Sequence, residues 1–420
     1  MQLPTTWYDI QSRREPLIWT NAAREAPSLL GKDGVDKCFH RGVCGPFRFF
    51  DDAVKPLVEV WAQKLVEGAR KEGVYRTARE AKAYLESEEG GEAMEDLSAR
   101  ALDAYIDAVN FSMFGKKTFY VSDGLVQQLA NTRMNVKAPM LQMPFPCFQL
   151  VFTSKEMIDA VYAASPTDIN TVRYDLPVTA VVYECEGTVD HPGIAYEKDI
   201  RTLQVMFFQG EGKNSDLSHG RHYLLREKWN LEQVLHVNWG KILDDEEQNE
   251  WLEKLRRAGD SYDESDLLLP SKEEIDELFT DTTLIPYRVV INAILYITSV
   301  NAETESRPSP VKNMEKDLKF IRNEQERQKA RRQIEHSSRL PYIVIGGSVK
   351  PVTEDRPTSI DGKRSLTVRF MVKGFFRWQV YGPGREGRRH QWIKPFYKGP
   401  EMAELVNKPY LVREPKTGTE

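Results

Sequence analysis

The sequence predicts an α+β fold: helical N-terminal and middle regions around a small sheet, followed by a small basic β module. Three observations carry this. Apolar residues recur at helical spacing through the first 115 positions. Short β-branched and aromatic runs then appear between residues 118 and 208. The tail from 341 alternates cations with aromatic rings in strand-like segments.

At 420 residues the chain exceeds what one hydrophobic core usually serves, so several units are expected. The apolar content of 40% is enough to fold without disulfides or metals, and none of either is expected. A net charge of −5 gives no whole-chain case for nucleic acid, so any such case must come from local clustering. No apolar run reaches membrane-spanning length, and the start MQLPTTWYDIQSRREP lacks the apolar stretch of a secretory signal. Four cysteines in so long a chain suit a reducing compartment, and the expected location is cytoplasmic.

The elements follow in order. Residues 1–115 form a helical region: Val54, Leu57, Val58, Trp61 and Leu65 keep one helical stripe, and Leu97, Ala101, Tyr105 and Val109 another. ESEEGGE between them predicts a loop. An α+β region spans 116–215, with strands at TFYV (118–121), CFQLVF (147–152), VTAVVY (178–183) and TLQVMFF (202–208). The last two are nearly continuous apolar runs, which predicts burial on both faces. TVDHPG reads as a turn. Thr153 with Glu156 fits a capping box, as do Asn230 with Gln233 and Ser271 with Glu274.

A helical region is expected over 216–300. DDEE at 244–247 reads as an acid-rich first helical turn. VVINAILYI (289–297) is open to two readings. Its β-branched content favours strand, and its length and all-round apolarity favour a buried helix, which is preferred. A polar, proline-bearing boundary at 301–313 leads through 340 into a charge-dense exposed helix. The basic aromatic module occupies 341–420.

Between Lys363 and Lys398 stand ten lysines and arginines against one acid, Glu386. Cations interleaved with rings suit nucleic acid, since cations neutralise phosphates and rings stack on bases. The candidate contacts are Lys373, Arg377, Trp378, Arg385, Arg388, Arg389, His390, Trp392, Lys394 and Lys398. Strand alternation would place Arg377, Gln379 and Tyr381 on one face and Phe376, Trp378 and Val380 on the other. Small β modules also bury rings for core volume, with edge cations for solubility, so a purely structural role competes. Gly382, Gly384 and Gly387 match a dinucleotide-binding glycine pattern. No helical period follows, so they predict a hairpin loop.

The same segment resembles a group of uncharacterised proteins of bacteria, phages and other mobile elements. The shared residues are Val372, Gly374, Phe376, Arg377 and Gln379, a glycine- and arginine-rich turn, then Trp392, Ile393, Pro395, Lys398, Gly399 and Pro400. The group's first tryptophan is Phe376 here. Segments PMLQMPFPCFQLVF, RTLQVMFFQ and INAILYI look similar too, so the resemblance runs in patches from about 118 to 412. It implies a mobile-element or host–phage setting and no activity.

Catalytic alternatives are sparse. His219 and His222 in HGRH, on an expected loop beside Arg221, could act as acid and base. Glu184 and Glu186 share a strand face and could chelate a metal with Asp190 or Glu197, with Lys198 nearby. Cys38, His40 and Cys44 form half a zinc site without a second compact pair. No Walker A, HExxH or G-x-S-x-G sequence occurs. The expectation is a non-catalytic protein binding nucleic acid or a phosphate-rich partner. The alternatives are an enzyme acting on nucleic acid or nucleotides in defence or counter-defence, and a protein-interaction scaffold. The expected partners are nucleic acid or another protein, with no membrane.

Overall fold

The computed structural model describes residues 4–29, single positions between 38 and 83, 88–165, 172–186, 200–210, 217–236, 281–335, 337–351 and 370–398. Helices α1 (Trp7–Arg14), α2 (Pro16–Leu29) and α3 (Glu88–Met113) precede the first strand. Next come β1 (Thr118–Val121), α4 (Asp123–Ala130), the two-residue β2 (Thr132–Arg133) and β3 (Cys147–Phe152). Helix α5 (Lys155–Ala163) leads to β4 (Val178–Glu186), β5 (Arg201–Gln209) and β6 (Leu217–Leu224).

The remaining elements are α6 (Leu231–His236), α7 (Asp281–Ile297), β7 (Thr304–Arg307), α8 (Pro310–Leu318), α9 (Glu324–Glu335) and β8 (Tyr342–Ile345). Strands β9 (Phe370–Val372), β10 (Gly374–Tyr381), β11 (Gly387–Ile393) and β12 (Phe396–Lys398) close the described chain. The fold is α+β, as the sequence predicts.

Seven strands form one sheet in the order β6-β5-β4-β3-β1-β8-β7. Strand β1 runs parallel to both neighbours, and the other pairings are antiparallel. Helices cover both faces. Phe148, Leu150, Val182, Val205 and Phe207 face the α4, α5 and α7 layer. Cys147, Val181, Tyr183 and Cys185 face α1, α2 and α3. This double cover explains the continuous apolar runs of β4 and β5. Trp7 wedges the N-terminal layer in place, stacked on Phe208 at 5.4 Å and edge-on to Trp19 and Phe111.

The expected unit boundaries do not divide this fold. Helices of 1–115 form the second cover of the 116–215 sheet, with Ala101, Tyr105 and Val109 buried as their stripe requires. The YIVI strand assigned to the C-terminal module pairs with β1 at the sheet's centre. The 301–313 boundary holds the edge strand β7 and the start of α8. The ESEEGGE loop lies partly inside α3, which begins at Glu88.

Helix α7 settles the VVINAILYI ambiguity in favour of helix, since Val289 to Tyr296 are all buried. Asn230 and Gln233 form the expected reciprocal cap on α6. On α5 the cap is Ser154, one residue beyond Thr153, accepting from the Met157 amide. Helix α9 has no buried residue, in keeping with an exposed charged helix. Ser271, Glu274, the DDEE turn and TVDHPG lie outside the described residues.

The β10–β11 hairpin is tied into the body. Gly374 pairs with Thr132, and a Cβ there would meet Thr132 Oγ1 at 2.6 Å. Trp392 is buried, packs edge-on against Tyr296 at 5.1 Å, and its Nε1 donates to Thr132 Oγ1. Asn301 clasps the Trp392 backbone from both sides, donating to its carbonyl and accepting from its amide. Trp392→Ala is expected to cost about 3–5 kcal/mol of stability, the usual range for a buried tryptophan. A urea titration comparing the variant with the parent chain checks this, and an unchanged midpoint would refute it.

Candidate nucleic-acid interface

Strand register decides which of the basic and aromatic residues are available. Directly opposed residues of an antiparallel pair share a face. Phe376 lies opposite Trp392, Trp378 opposite His390 and Val380 opposite Arg388. This face turns toward the body at its Phe376–Trp392 end, where both rings join the main core. Arg377 lies opposite Gln391, Gln379 opposite Arg389 and Tyr381 opposite Gly387, and these form the outward face. The alternation expected for β10 is therefore observed.

The same register removes two expected contacts from the surface. His390 and Trp392 are buried on the inward face. His390 stacks on Phe376 at 5.1 Å and lies 5.2 Å from Trp378. Trp378 is half-buried beside it, with its Nε1 enclosed. Their aromatic character supplies core volume, the bland role that competes in the sequence. Lys373 is half-buried just before the hairpin, and Lys398 ends β12 with its side chain outside the described residues.

Five cations remain at the surface: Arg377 and Arg389 outward, Arg388 at the open end of the other face, Arg385 in the turn, and Lys394 after β11. Among the described residues no carboxylate forms an ion pair with any of them. Arg389 sits over the Tyr381 ring at 5.6 Å. Positive φ at Gly382, Gly384 and Arg385 makes the tight turn that projects this end. Strand β11 follows the glycines directly, so no helix N-terminus stands where a dinucleotide would need one.

Two of the four catalytic candidates, His219 and Glu184, are engaged within the fold. HGRH is part of strand β6, paired with β5, and forms no loop. His219 is buried, with Nε2 3.0 Å from the Val161 carbonyl and Nδ1 3.2 Å from the Tyr287 hydroxyl. A carbonyl only accepts, so Nε2 carries the proton and Nδ1 accepts from Tyr287. Both ring nitrogens of neutral His219 are thus satisfied. Burial, then the nearby Arg221 charge, pushes its pKa down, partly opposed by the Val161 bond. His222 falls on the opposite face of β6, since neighbours two apart share a face and neighbours three apart do not.

Glu184 is held by Arg201 in a two-pronged ion pair, Nε to Oε1 at 2.6 Å and Nη2 to Oε2 at 2.9 Å. Arg201 also donates to the Leu141 and Pro139 carbonyls. That leaves Glu184 poorly placed for a metal, and Glu186 is exposed at the strand end. Asp190, Glu197 and Lys198 lie outside the described residues, as do His40 and Cys44. Among the described residues no three histidine, cysteine or carboxylate groups could hold a metal ion.

The structure does gather cysteines that the sequence leaves apart. Cys38 bridges to Cys185 through the backbone, and its thiol donates to the Pro146 carbonyl at 3.3 Å. Burial, then a hydrogen bond with the Cys147 thiol, pushes the Cys38 pKa well up, which keeps the group an inert thiol.

The fold and this surface define a class: an α+β protein whose mixed sheet is covered by helices on both faces, with Glu184 ion-paired, His219 hydrogen-bonded in the core and exposed cations on the β10–β11 hairpin. The model of the AcrVA2-like family, anti-CRISPR type V subtype A2, matches residues 119–397, about two thirds of the chain, and the protein belongs to that family. The crystal structure of AcrVA2 is similar to this chain at 11% identity and a TM-score of 0.35, over 85% of this chain and 99% of that one. No curated protein matches the sequence.

Histidine burial has a measurable consequence. Burial lowers the pKa of His390 as well as that of His219. The unfolded chain therefore takes up protons at a pH where the folded chain does not, and stability falls as pH drops below the ordinary histidine value of about 6.5. His390→Phe keeps the ring stack and removes one such proton. Its stability should decline less than the parent's between about pH 7 and about pH 5. Urea midpoints across that range test this, and parallel declines would refute it.

Proposed function

We propose that this protein is a counter-defence factor acting against a type V CRISPR system, and that it works by binding. Its contact surface is the open end of the β10–β11 hairpin, and the ligand is nucleic acid. The observation that carries this reading is a rigid, tryptophan-anchored ribbon with Arg385, Arg388 and Arg389 exposed at its open end and Arg377 further along the outward face, none of them ion-paired with a carboxylate among the described residues, in a chain of net charge −5. An acidic protein that keeps a cluster of like charge at one tip carries local repulsion that a polyanion relieves. RNA-guided effectors carry a guide RNA and displace one DNA strand, so polyanionic nucleic acid is part of the complex that such a factor meets.

Family membership supports the counter-defence part and is in keeping with action in the cytoplasm of a bacterial host. No described helix is long and apolar enough to cross a membrane. The enzymatic reading loses support because Glu184 is ion-paired and His219 is doubly hydrogen-bonded within the core. A mobile-element origin accords with both.

Charge reversal of Arg377, Arg388 and Arg389 to Glu should weaken binding of labelled RNA or DNA by at least about tenfold at moderate salt. The parent chain's affinity should fall steeply as salt rises. Fluorescence anisotropy reads both. Unchanged affinity in the triple variant would remove the hairpin from the mechanism. Capture of the effector that survives nuclease and high salt would favour a protein interface in its place. Restored cleavage of a target plasmid, in cells carrying a type V system and the triple variant, links the surface to inhibition.

A further inference from the structure

The tip of the hairpin carries one ring in an unusual setting. Tyr381 is 50% exposed, whereas Phe376 and Trp392 on the other face are buried and Trp378 is half-buried. The residue opposite Tyr381 is Gly387. A Cβ on Gly387 would meet Tyr381 Cε1 at 2.9 Å and Cζ at 3.0 Å, so the phenol lies across the partner strand in space that only glycine leaves open. Arg389, two residues along on the same face, places its guanidinium 5.6 Å from the ring centroid. The ring thus rests against backbone with a cation over it, and a base stacks on it when the long, flexible Arg389 side chain swings aside toward a phosphate. Beyond it the outward face continues through Gln379 and Gln391 to Arg377.

We propose that Tyr381, supported by Gly387 and flanked by Arg389, is a stacking platform for one unpaired base, so that the hairpin selects single-stranded over duplex nucleic acid. This rests on the nucleic-acid reading above and specifies its ligand. A ring face offers nothing to a base that is already stacked on both sides within a duplex, whereas an unstacked base covers it directly. Arg377 and Arg389 then lie on the same face as the ring for the adjoining phosphates. Because the neighbouring rings turn inward, the platform seats a single base and has little sequence preference.

The test uses the full chain and a labelled single-stranded RNA of mixed sequence, free and annealed to its complement, in fluorescence anisotropy. The single strand should bind tighter than the duplex. Tyr381→Ala should weaken single-strand binding by about five- to a hundredfold, the range of one base–ring stack, while Tyr381→Phe stays within about twofold. Gly387→Ala, which pushes the ring off its seat, should weaken it in the same direction. Equal or tighter duplex binding, or an unchanged affinity in Tyr381→Ala, overturns the platform. If reversal of the three arginines still abolishes binding in that case, the functional reading stands and only the platform falls. If neither nucleic acid binds the parent chain, both fall.

Discussion

The burial of helix α7 on every side is the constraint on which the rest of the molecule depends. Near its start, Tyr287 packs edge-on against Phe207 and Tyr223 and meets His219, which joins the helix to the sheet edge. At its middle, buried Asn292 donates to the carbonyls of Leu129 and Thr132, where α4 ends and β2 begins. Near its end, Tyr296 receives the Trp392 ring, and its hydroxyl accepts a hydrogen bond from the Glu303 amide. One apolar rod thereby fixes sheet, connecting segment and hairpin relative to one another. A rod with a polar face could not do so, because three separate layers demand its surface.

Rigidity at the hairpin root holds its tip in a fixed place against the body. Two-stranded ribbons alone are marginal in water. Here the root carries Gly374 against Thr132, the Asn301 clasp on Trp392 and a bond from the Val300 amide to the His390 carbonyl. The inward rings are used to hold the ribbon, and the outward face is left to polar and charged groups. A chain that needed those rings for ligand could not also use them as its anchor.

Much of the local structure was legible in the sequence, because its causes are local. TFYV and CFQLVF are strands because β-branched and aromatic residues fit a pleated surface. Asn230 and Gln233 cap α6 through bonds only three residues apart. The misreadings share a different cause. HGRH looked like a loop because its residues are polar, yet β5 supplies the hydrogen-bonding partner for an edge strand of any polarity. Unit boundaries failed at 115 and 341 because β1 finds β8 more than two hundred residues later, and such pairing leaves no mark within a local window. His390 and Trp392 looked available because their strand's face depends on register. Pairing Tyr381 with Gly387 across the turn would have revealed it, since every residue opposite Trp378 or Phe376 must then point inward. The cysteine cluster had no sequence signal at all, with Cys38 and Cys147 joined only through tertiary packing.

The parallel union of β1 with β8 also governs when the molecule can become whole. As the chain leaves the ribosome, β1 emerges early with one side already able to pair with β3, while its other side waits for residues 342–345. The hairpin root waits longer still, for Trp392 to reach Tyr296. Loop closure over such separations is slow, and an unpaired strand edge attracts other chains while it lasts. The last fifth of the polypeptide is therefore the keystone of its own assembly. A chain interrupted before it would leave the ribosome with an open sheet, prone to aggregate.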